Sequence, residues 1–391
     1  MWAYGVDKEK LREIQKIRLE ERLPSFGIKK LDVPIPVLKT DEVLIKPKYS
    51  ALNFNSIWSS MGHPVAPFQL ISGHIARNPI DKDHMLDYAI FGSDCSGTIV
   101  GVGTSVHDWS IGDEVVVHCN VVNSSDPIIE SDSMKSETQS IWGYETNFGA
   151  FAEYCKVKAS QLLPKPTSLD WPSAASYCLT HSTAYRMLIG DNGARLKAGE
   201  TCLIWGAAGG LGTFAIQLCK LAGVKSVAVV SNEEKAKICE ELGADLVIDR
   251  SKLDFGPFLT KAGEQNKLAW VKGKKILASL GVDRVDVVFE HVGASTLGAS
   301  VYFLKKGGRV VICAASSGYD AKVDLRYLWM EVKSIIGSHF ANYSEAQEAS
   351  NLVNSGHIIP KIYGVYDISK LGQLMDKMYR GETFGKVVFK H

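Results

Sequence analysis

The stretch TCLIWGAAGGLGTFAIQLCKLAG, residues 201–223, constrains the fold more than any other part of the chain. An apolar run is followed by a glycine-rich turn and then by the apolar spacing of an amphipathic helix. Glycine lacks a Cβ and so permits a tight turn close to a pyrophosphate, and the next helix offers its N-terminal N–H groups to phosphates. The stretch therefore predicts a dinucleotide-binding unit, with a ligand-free tight turn as the alternative. Its candidate binding residues are Gly206, Gly209, Gly210, Leu211 and Gly212.

Two kinds of pattern surround this unit. From about residue 170, helical patterns alternate with the apolar runs SVAVVS, DLVID, VDVVFE and GRVVICA. This alternation predicts an α/β fold with a parallel, doubly wound sheet that carries helices on both faces. Before about 165, short apolar strands are separated by turn residues, and from about 357 the chain returns to short strands and a helix. The polar stretch 123–140 is predicted to be a long loop or insertion and is a candidate subunit contact.

The end of the second predicted strand indicates which dinucleotide binds. Sites for NAD usually place an acidic residue there for the ribose 2′-hydroxyl. Here the strand SVAVVS ends at Ser231, and the next acidic residues fit the first turn of a helix. Ser231 leaves room for a 2′-phosphate, to which Lys235 and Arg250 supply positive charge. We therefore expect NADPH; the alternative is that Lys235 and Arg250 are solvated surface charges.

Composition excludes several classes of partner. Lys and Arg number 44 and Asp and Glu 43, which gives no global argument for nucleic acid or an anionic membrane. No run approaches 18 apolar residues, and residues 1–27 lack the apolar core of a signal peptide. The eight cysteines form no C-x-x-C motif and several stand in apolar runs. We expect buried free thiols in a reducing, cytoplasmic setting and no structural zinc.

Several separated stretches carry a resemblance to a known family. They are NFNSIW, FGSDCSGTIVGVG, GDEVVVHCN, IWGYETNFGAFAEY, VFEHVG, RYLWMEVKSIIGSHFANY and GKVV, together with WGAAGGLG. The chain resembles the medium-chain dehydrogenase/reductase superfamily and, within it, the crotonyl-CoA carboxylase/reductase group. The resemblance implies a GroES-like, β-rich catalytic domain at 1–180 and 357–391 and a Rossmann NADPH-binding domain at 181–356. Members usually associate through the Rossmann sheet, so a homodimer or homotetramer is expected by analogy.

The resemblance also implies a reaction without a metal. Zinc alcohol dehydrogenases carry Gly-His-Glu where this chain has Gly92-Ser93-Asp94, and their four-cysteine zinc lobe is missing here. Serine and a lone aspartate make a poor zinc site. His118 and Cys119 are neighbours in a predicted strand, so their side chains are expected on opposite faces. We expect no catalytic metal.

The aromatic stretch IWGYETNFGAFAEY raises the question of Glu145, because carboxylates seldom lie in apolar surroundings without a partner. The resemblance implies a CO2 pocket made of Asn55, Tyr144, Glu145 and His339. In it Asn55 donates its amide to a CO2 oxygen, while Glu145 and His339 hold an ordered water. The alternatives are structural: Glu145 bonded to backbone N–H groups in a turn, His339 a hydrogen-bonded core histidine, and Asn55 with Asn53 forming turns.

The implied activity is hydride addition from NADPH to the β-carbon of a short-chain enoyl-CoA of the crotonyl- or acryloyl-CoA class. The resulting enolate either captures CO2 or takes a proton. The carboxylases used for comparison have phenylalanine where this chain has Tyr144, whose hydroxyl brings water or donates a proton, so a non-carboxylating enoyl-CoA or quinone reductase stays open. A non-catalytic NADPH-binding protein is a further alternative.

Position, charge and the resemblance together assign other residues to the two ligands. Thr183, in the predicted helix over the cofactor, is expected to face the nicotinamide or its phosphate. Arg326 and Tyr327, with lysines of the segment 252–275, are expected to bind the coenzyme A phosphates. The alternative for any one of these lysines is a solvated helix face. The acyl chain length stays open, because a methylene or two is weakly discriminated by an apolar pocket.

Overall fold

The computed structural model describes residues 1–391, which form two compact units. The first contains Met1–Leu179 and Ala341–His391, and the second contains Thr180–Phe340. The sequence pattern placed the return of the chain at 357, whereas the first unit resumes at Ala341. The intervening helix packs with the first unit, where Tyr177 Oη lies 2.9 Å from Ser350 Oγ.

Eighteen strands and thirteen α-helices make up the chain. The strands are β1 (Trp2–Asp7), β2 (Lys29–Asp32), β3 (Glu42–Ala51), β4 (Tyr88–Ile90), β5 (Cys95–Val102), β6 (Glu114–Val117), β7 (Asn120–Val121), β8 (Ser140–Ile141), β9 (Cys155–Lys158), β10 (Leu162–Pro164), β11 (Thr201–Ile204), β12 (Lys225–Val230), β13 (Leu246–Asp249), β14 (Val285–Glu290), β15 (Leu304–Ile312), β16 (Ser334–Gly337), β17 (Ile362–Asp367) and β18 (Lys386–Lys390). The helices are α1 (Lys8–Gln15), α2 (Phe54–Met61), α3 (Pro67–Arg77), α4 (Ile129–Asp132), α5 (Trp171–Ala174), α6 (Cys178–Leu188), α7 (Gly212–Leu221), α8 (Glu233–Glu241), α9 (Lys267–Ser279), α10 (Leu297–Phe303), α11 (Leu325–Trp329), α12 (Tyr343–Asn354) and α13 (Leu371–Tyr379).

The second unit is built on a six-stranded sheet in the order β13-β12-β11-β14-β15-β16. Every neighbouring pair is parallel. The inner strands are buried almost continuously rather than on alternate residues, as expected where helices cover both faces. Leu203, Val227, Val288 and Val310 contribute to its core. The predicted doubly wound sheet is confirmed.

The first unit is dominated by a seven-stranded sheet. Its path runs β10-β6-β5-β3-β18-β17, and β9 also pairs with β3. The C-terminal strand β18 therefore lies in the interior, antiparallel to β3 and parallel to β17. Two smaller sheets, β2-β1-β4 and β7-β8, complete the unit. The predicted β-rich architecture is confirmed, and the last strand of the chain lies in this sheet.

The stretch 123–140 is more ordered than the loop that its polar composition predicted. It contains α4, a 3₁₀ turn at Ser133–Lys135 and the start of β8. Asp132 is buried and caps the 3₁₀ turn by accepting from the Met134 N–H at 3.2 Å. Asn342 Nδ2 also donates to Asp132, at 3.4 Å, which ties the stretch to the start of α12.

No helix in the structure has the length and apolar character needed to cross a membrane.

Candidate functional site

The glycine-rich turn joins β11 to α7 at the carboxyl end of the parallel sheet. Gly206 has a φ of +54°, and a Cβ there would lie 2.7 Å from the ring of His291. A Cβ on Gly212 would lie 2.5 Å from the Cα of Ala207. The turn is closed by a 2.8 Å hydrogen bond from the Gly209 N–H to the Gly206 carbonyl. The residues therefore fit a dinucleotide, because the turn has no side chain in the place where a pyrophosphate approaches the backbone.

The ends of β12 and β13 bring the proposed 2′-phosphate residues together. The Arg250 N–H donates to the carbonyl of Val230 at 3.0 Å, which places Arg250 beside Ser231. The Asn232 side chain caps α8 by accepting from the Lys235 N–H at 3.0 Å. Burial lowers the pKa of Lys235, Glu234 opposes this, and the charge of Arg250 lowers it further. Two cations near one another suit a dianionic ligand group.

The first acidic residue after β12 is used elsewhere. Glu233 forms ion pairs with Lys252 at 3.1 Å and Lys237 at 3.4 Å. This agrees with the expectation that it belongs to the first turn of a helix rather than to a ribose. Thr183 is buried in the middle of α6, and Leu211 directly precedes α7, so their contacts with a cofactor stay predictions.

A buried carboxylate that the sequence analysis missed organises the loop after β14. Glu290 is fully buried and accepts from the N–H groups of Val292 at 2.7 Å and Gly293 at 3.2 Å. The hydroxyls of Thr296 and Ser300 also donate to it. Burial raises the pKa of Glu290, and these hydrogen bonds oppose that rise. The loop thus braced carries His291 against the glycine-rich turn; an acidic residue ending a buried strand was the available signal.

The segment 141–150 of the first unit is held rigidly. Trp142 Nε1 donates to the carbonyls of Phe148 and Lys156, both at 3.1 Å. Asn147 Oδ1 accepts from the Phe148 N–H at 2.8 Å, and Phe148 has a φ of +64°. A Cβ on Gly143 would lie 2.1 Å from the carbonyl oxygen of Gly92. A bulky residue in the left-handed region persists only where its surroundings over-determine it, so this segment is preorganised.

Glu145 lies in this segment with one carboxylate oxygen committed. Its Oε2 accepts from the Ile141 N–H at 2.8 Å, and its own N–H donates to the Ile141 carbonyl at 2.8 Å. The structural alternative, a carboxylate bonded in a turn, is therefore present. It accounts for one oxygen only, because Oε1 accepts no hydrogen bond from the protein. Glu145 is half-buried, so a water or ligand can reach this oxygen.

Helix α2 brings Asn55 into the same region. Asn55 Nδ2 donates to Ser93 Oγ at 2.9 Å. Trp58, one turn further along α2, has its ring 6.4 Å from that of Tyr144. The alternative of asparagines that form local turns does not describe Asn53: it precedes α2 but makes no side-chain cap, and its amide donates to Asp94 instead. Asn55, Tyr144 and Glu145 thus belong to neighbouring elements of one unit.

Ser93 and Asp94 are both committed to side-chain contacts. Asp94 Oδ2 accepts from Asn53 Nδ2 and Lys386 Nζ, both at 2.9 Å, and its Oδ1 accepts from the Leu179 N–H at 2.9 Å. Lys386 also donates to Asn53 Oδ1. Asp94 and Lys386 are 0% and 1% exposed in their side chains. The sequence analysis quoted GKVV, which contains Lys386, but gave this lysine no role.

His339 and the proposed coenzyme A residues belong to the second unit. His339 follows β16 and is exposed, so the core-histidine alternative is wrong. Arg326 makes two hydrogen bonds to the carboxylate of Asp324, and with Lys267 it holds the pKa of Asp324 well below its usual range. The ring of Tyr327 packs 5.0 Å from that of Tyr302. In the segment 252–275, three further lysines are paired with acidic residues: Lys252, Lys272 and Lys274.

Comparisons with known proteins agree with this geometry. The alcohol dehydrogenase GroES-like domain family matches residues 39–167, and the zinc-binding dehydrogenase family matches residues 210–355. A crotonyl-CoA reductase of Streptomyces collinus is 42% identical over 386 residues, covering 98% of this chain and 86% of that protein. The chain belongs to the crotonyl-CoA carboxylase/reductase family of medium-chain dehydrogenases/reductases.

Two further members support the assignment. A crotonyl-CoA carboxylase/reductase of Cereibacter sphaeroides is 40% identical over 358 residues, covering 90% of this chain and 80% of that protein. The structure of the 2-octenoyl-CoA carboxylase reductase CinF in complex with NADP and 2-octenoyl-CoA superposes with a TM-score of 0.93. It is 38% identical and covers all of this chain and 87% of that one.

One description within these matches, that of a zinc-binding dehydrogenase, does not fit the residues present. The carboxylate of Asp94 is already neutralised by the ammonium of Lys386, which would repel a zinc ion. Burial raises the pKa of the Cys119 thiol well above its usual value, so it is no thiolate ligand. β6 ends at Val117, so His118 and Cys119 lie in a connection and not within a strand as expected. His118 Nε2 is hydrogen-bonded to the Ala341 carbonyl at 3.1 Å.

A second group of ligand-type side chains lies elsewhere in the first unit. Glu42, Asp83 and His84 have donor atoms within 4.8 Å of one another. The ammonium of Lys156 occupies the same place, 3.0 Å from Glu42 and 2.6 Å from Asp83. Burial lowers the pKa of His84 to about 3, so its ring is neutral. The cluster is neutralised from within and offers a divalent cation little.

Proposed function

We propose that this chain reduces a short-chain enoyl-CoA with NADPH and joins CO2 to the resulting enolate. The observation that carries the proposal is the rigid 141–150 segment, which presents a free oxygen of Glu145 next to the helix that holds Asn55. Membership of a family whose relatives are named crotonyl-CoA reductase and crotonyl-CoA carboxylase/reductase supports it. So does the similar structure that was solved with NADP and 2-octenoyl-CoA.

Bound NADPH would supply the hydride that adds to the β-carbon of the substrate. The protein's own contribution begins with orientation. The N-terminus of α7 and the bare turn at Gly206 and Gly212 would hold the pyrophosphate, and Lys235 with Arg250 would hold the 2′-phosphate. Ser231 adds no carboxylate that would repel this phosphate. Together these residues would select NADPH over NADH.

The enolate formed by this addition is a carbanion equivalent, and the residues around it determine whether it reacts with CO2 or with a proton. The Asn55 amide has two hydrogens, of which Ser93 takes one. We assign the second to a CO2 oxygen, where a charge-assisted hydrogen bond grows stronger as the carboxylate forms. Oε1 of Glu145 would hold an ordered water at the edge of the pocket. The contribution of His339 stays a prediction.

A second candidate function is plain reduction of the enoyl-CoA, or of a quinone. The hydroxyl of Tyr144, a half-buried residue within the 141–150 segment, favours it. A hydroxyl here can donate a proton or order a water near the enolate, and protonation would give the saturated acyl-CoA. The two functions share every step except the last.

Arg326 and Tyr327 remain the proposed contacts of the coenzyme A phosphates. Arg326 is paired with Asp324 in this structure, so phosphate binding requires exchange of that partner. We expect such exchange to be easy, because the guanidinium is 68% exposed and exposed ion pairs are weak. Lys267, which shares Asp324, would then retain the aspartate.

We further propose that the chain forms a homodimer, or a homotetramer built from it, through β16. This strand is at the edge of its sheet and leaves Ile335 38% exposed. Trp329 and Val332 nearby are 69% and 68% exposed. An open edge beside exposed apolar side chains is a surface on which a second copy can add its own β16.

The proposed location is the cytoplasm. All eight cysteines are free, and seven of them are buried. Free thiols without disulfides are usual in a reducing compartment.

The experiment that separates the two functions follows NADPH oxidation with crotonyl-CoA, with and without bicarbonate and carbonic anhydrase, and identifies products by mass. We expect ethylmalonyl-CoA as the main product at saturating CO2. Butyryl-CoA alone would show that the enolate is protonated and would remove the carboxylase proposal. Parallel assays with acryloyl-CoA, with 2-octenoyl-CoA and with a quinone define the substrate.

A further inference from the structure

Lys386 is a fully buried cation on an interior strand of the large sheet of the first unit. It begins β18, which lies between β3 and β17, and its side chain is 1% exposed. Burying an ammonium is costly unless it is paired and hydrogen-bonded, and Lys386 satisfies both conditions through Asp94 and Asn53. Well-packed apolar residues of similar size would stabilise a fold at least as well as a buried ion pair. The pair therefore calls for a reason other than stability.

The partners of Lys386 lead directly to the start of α2. Asn53 is the residue that precedes α2, a position where asparagine normally accepts from a backbone N–H of the first turn. Here its side chain makes no such cap and bonds to Lys386 and Asp94 instead. Helix α2 therefore lacks a common stabilising cap, and the Asn53 side chain links its start to the ion pair instead. That exchange points to control of the position of the helix.

Two hydrogen bonds between neighbouring residues hold the start of α2. Asp94 holds Asn53, and its neighbour Ser93 holds Asn55. Asn53 and Asn55 are separated by one residue, so the two hydrogen bonds hold the same first turn of α2. A shift of the Asp94 side chain would therefore move the first turn of α2 and redirect the amide of Asn55. Lys386 fixes Asp94, since removal of its charge leaves the carboxylate buried and unpaired.

We propose that Lys386 is a positioning residue for CO2 capture: through Asp94 and Asn53 it aims the second amide hydrogen of Asn55 at an oxygen of CO2. The inference rests on the proposed function, because it deepens the role given there to Asn55. It also explains the disagreement over zinc at residues 92–94. In this chain the positive charge at that place belongs to the side chain of Lys386, and it works on the protein scaffold.

The test compares the full-length enzyme with the single variant Lys386→Met and the double variant Lys386→Met with Asp94→Asn. The single variant leaves a buried, unpaired carboxylate and is expected to unfold at a lower temperature than the wild type. The double variant removes both charges while keeping a hydrogen-bonding group near Asn53, so it is expected to fold. A matched control removes another ion pair by the double change Glu200→Gln with Arg309→Met. This pair lies in the second unit, with its nitrogen and oxygen 2.7 Å apart.

The readouts are the ratio of ethylmalonyl-CoA to butyryl-CoA and the KM for CO2, measured beside the KM for NADPH and crotonyl-CoA. In the double variant we expect the KM for CO2 to rise about tenfold and the product ratio to fall to match, as for one misdirected hydrogen bond. The KM values for NADPH and crotonyl-CoA should stay within about twofold, and the control should match the wild type.

The outcomes separate the inference from the function on which it rests. A double variant that keeps the wild-type product ratio and KM for CO2, while the wild type carboxylates, overturns the positioning role alone. A wild-type enzyme that makes no ethylmalonyl-CoA removes the proposed function and the inference with it. If all three KM values rose by similar factors and kcat fell, the ion pair would have only a structural role, and the positioning role would likewise be overturned.

Discussion

Replacing Arg250 and Lys235 by alanine should convert a strongly NADPH-preferring enzyme into one with little preference. Each cation is assigned one charge-assisted contact with the 2′-phosphate, and such contacts contribute about 1.5–3 kcal/mol, or roughly 10- to 150-fold in affinity. Arg250 is exposed, so solvent screening puts Arg250→Ala near the lower end, about tenfold. Lys235 is more buried, so Lys235→Ala should cost more.

The assay is kcat/KM for NADPH and for NADH with crotonyl-CoA, in the wild type and each variant. NADH lacks the phosphate, so its kcat/KM should change less than about twofold. Lys237→Ala is the matched control, because Lys237 is on the same helix and pairs with Glu233 on the surface. Equal losses for NADPH and NADH would refute the assignment, since they would mean that the two residues support the fold and not the phosphate.

The same site predicts a pH dependence. The lowered pKa of Lys235 means that, as the pH rises, its ammonium loses its proton and its positive charge at a lower pH than an ordinary lysine does. The KM for NADPH should therefore rise on the alkaline side, whereas the KM for NADH should not. Lys235→Arg should flatten the rise, because arginine stays charged. An identical alkaline rise in that variant would assign the titration to another group.

Three further changes test other parts of the structure. Tyr144→Phe removes the hydroxyl that competes with CO2 and should raise the ethylmalonyl-CoA fraction severalfold at limiting CO2, as measured by product mass; an unchanged fraction would clear Tyr144 of that role. Gly206→Ala forces a Cβ to within 2.7 Å of His291 at a φ of +54°, which should cost about 1–2 kcal/mol and weaken NADPH binding in a fluorescence titration. Ile335→Lys with Trp329→Lys should yield monomers in light scattering, and retained dimers would place the interface elsewhere.

Local motifs carried the parts of this structure that the sequence could predict. The strand, turn and helix around Gly206 follow one another within 23 residues, and Arg250 follows a strand that runs beside the one ending near Ser231. Residues so arranged meet because parallel strands end at the same edge of the sheet. The helix that begins at Glu233 was also predictable, because its capping residue is its direct neighbour in the sequence.

Contacts between distant parts of the chain were beyond such patterns. Asp94 and Lys386 are 292 positions apart, and nothing local marks a lysine at the start of an apolar strand as the partner of an aspartate. Helix α12 was assigned to the wrong side of the boundary because an amphipathic helix does not show which core it joins. The hydrogen bond that holds one oxygen of Glu145 was among the alternatives, but the sequence could not tell that the other oxygen is left free.

The interior place of β18 has a consequence for the order in which the protein is made. The sheet of the first unit lacks its penultimate strand until residues 386–390 have been synthesised, and His391 then bonds to Ser50, 341 positions earlier. The second unit is continuous from Thr180 to Phe340, so its sequence is complete while the ribosome is still translating the rest. Domains generally fold as units during synthesis. The nucleotide-binding half can thus be folded before the half that carries Asn55 and Glu145 closes, and Lys386 joins Asp94 only in that last step.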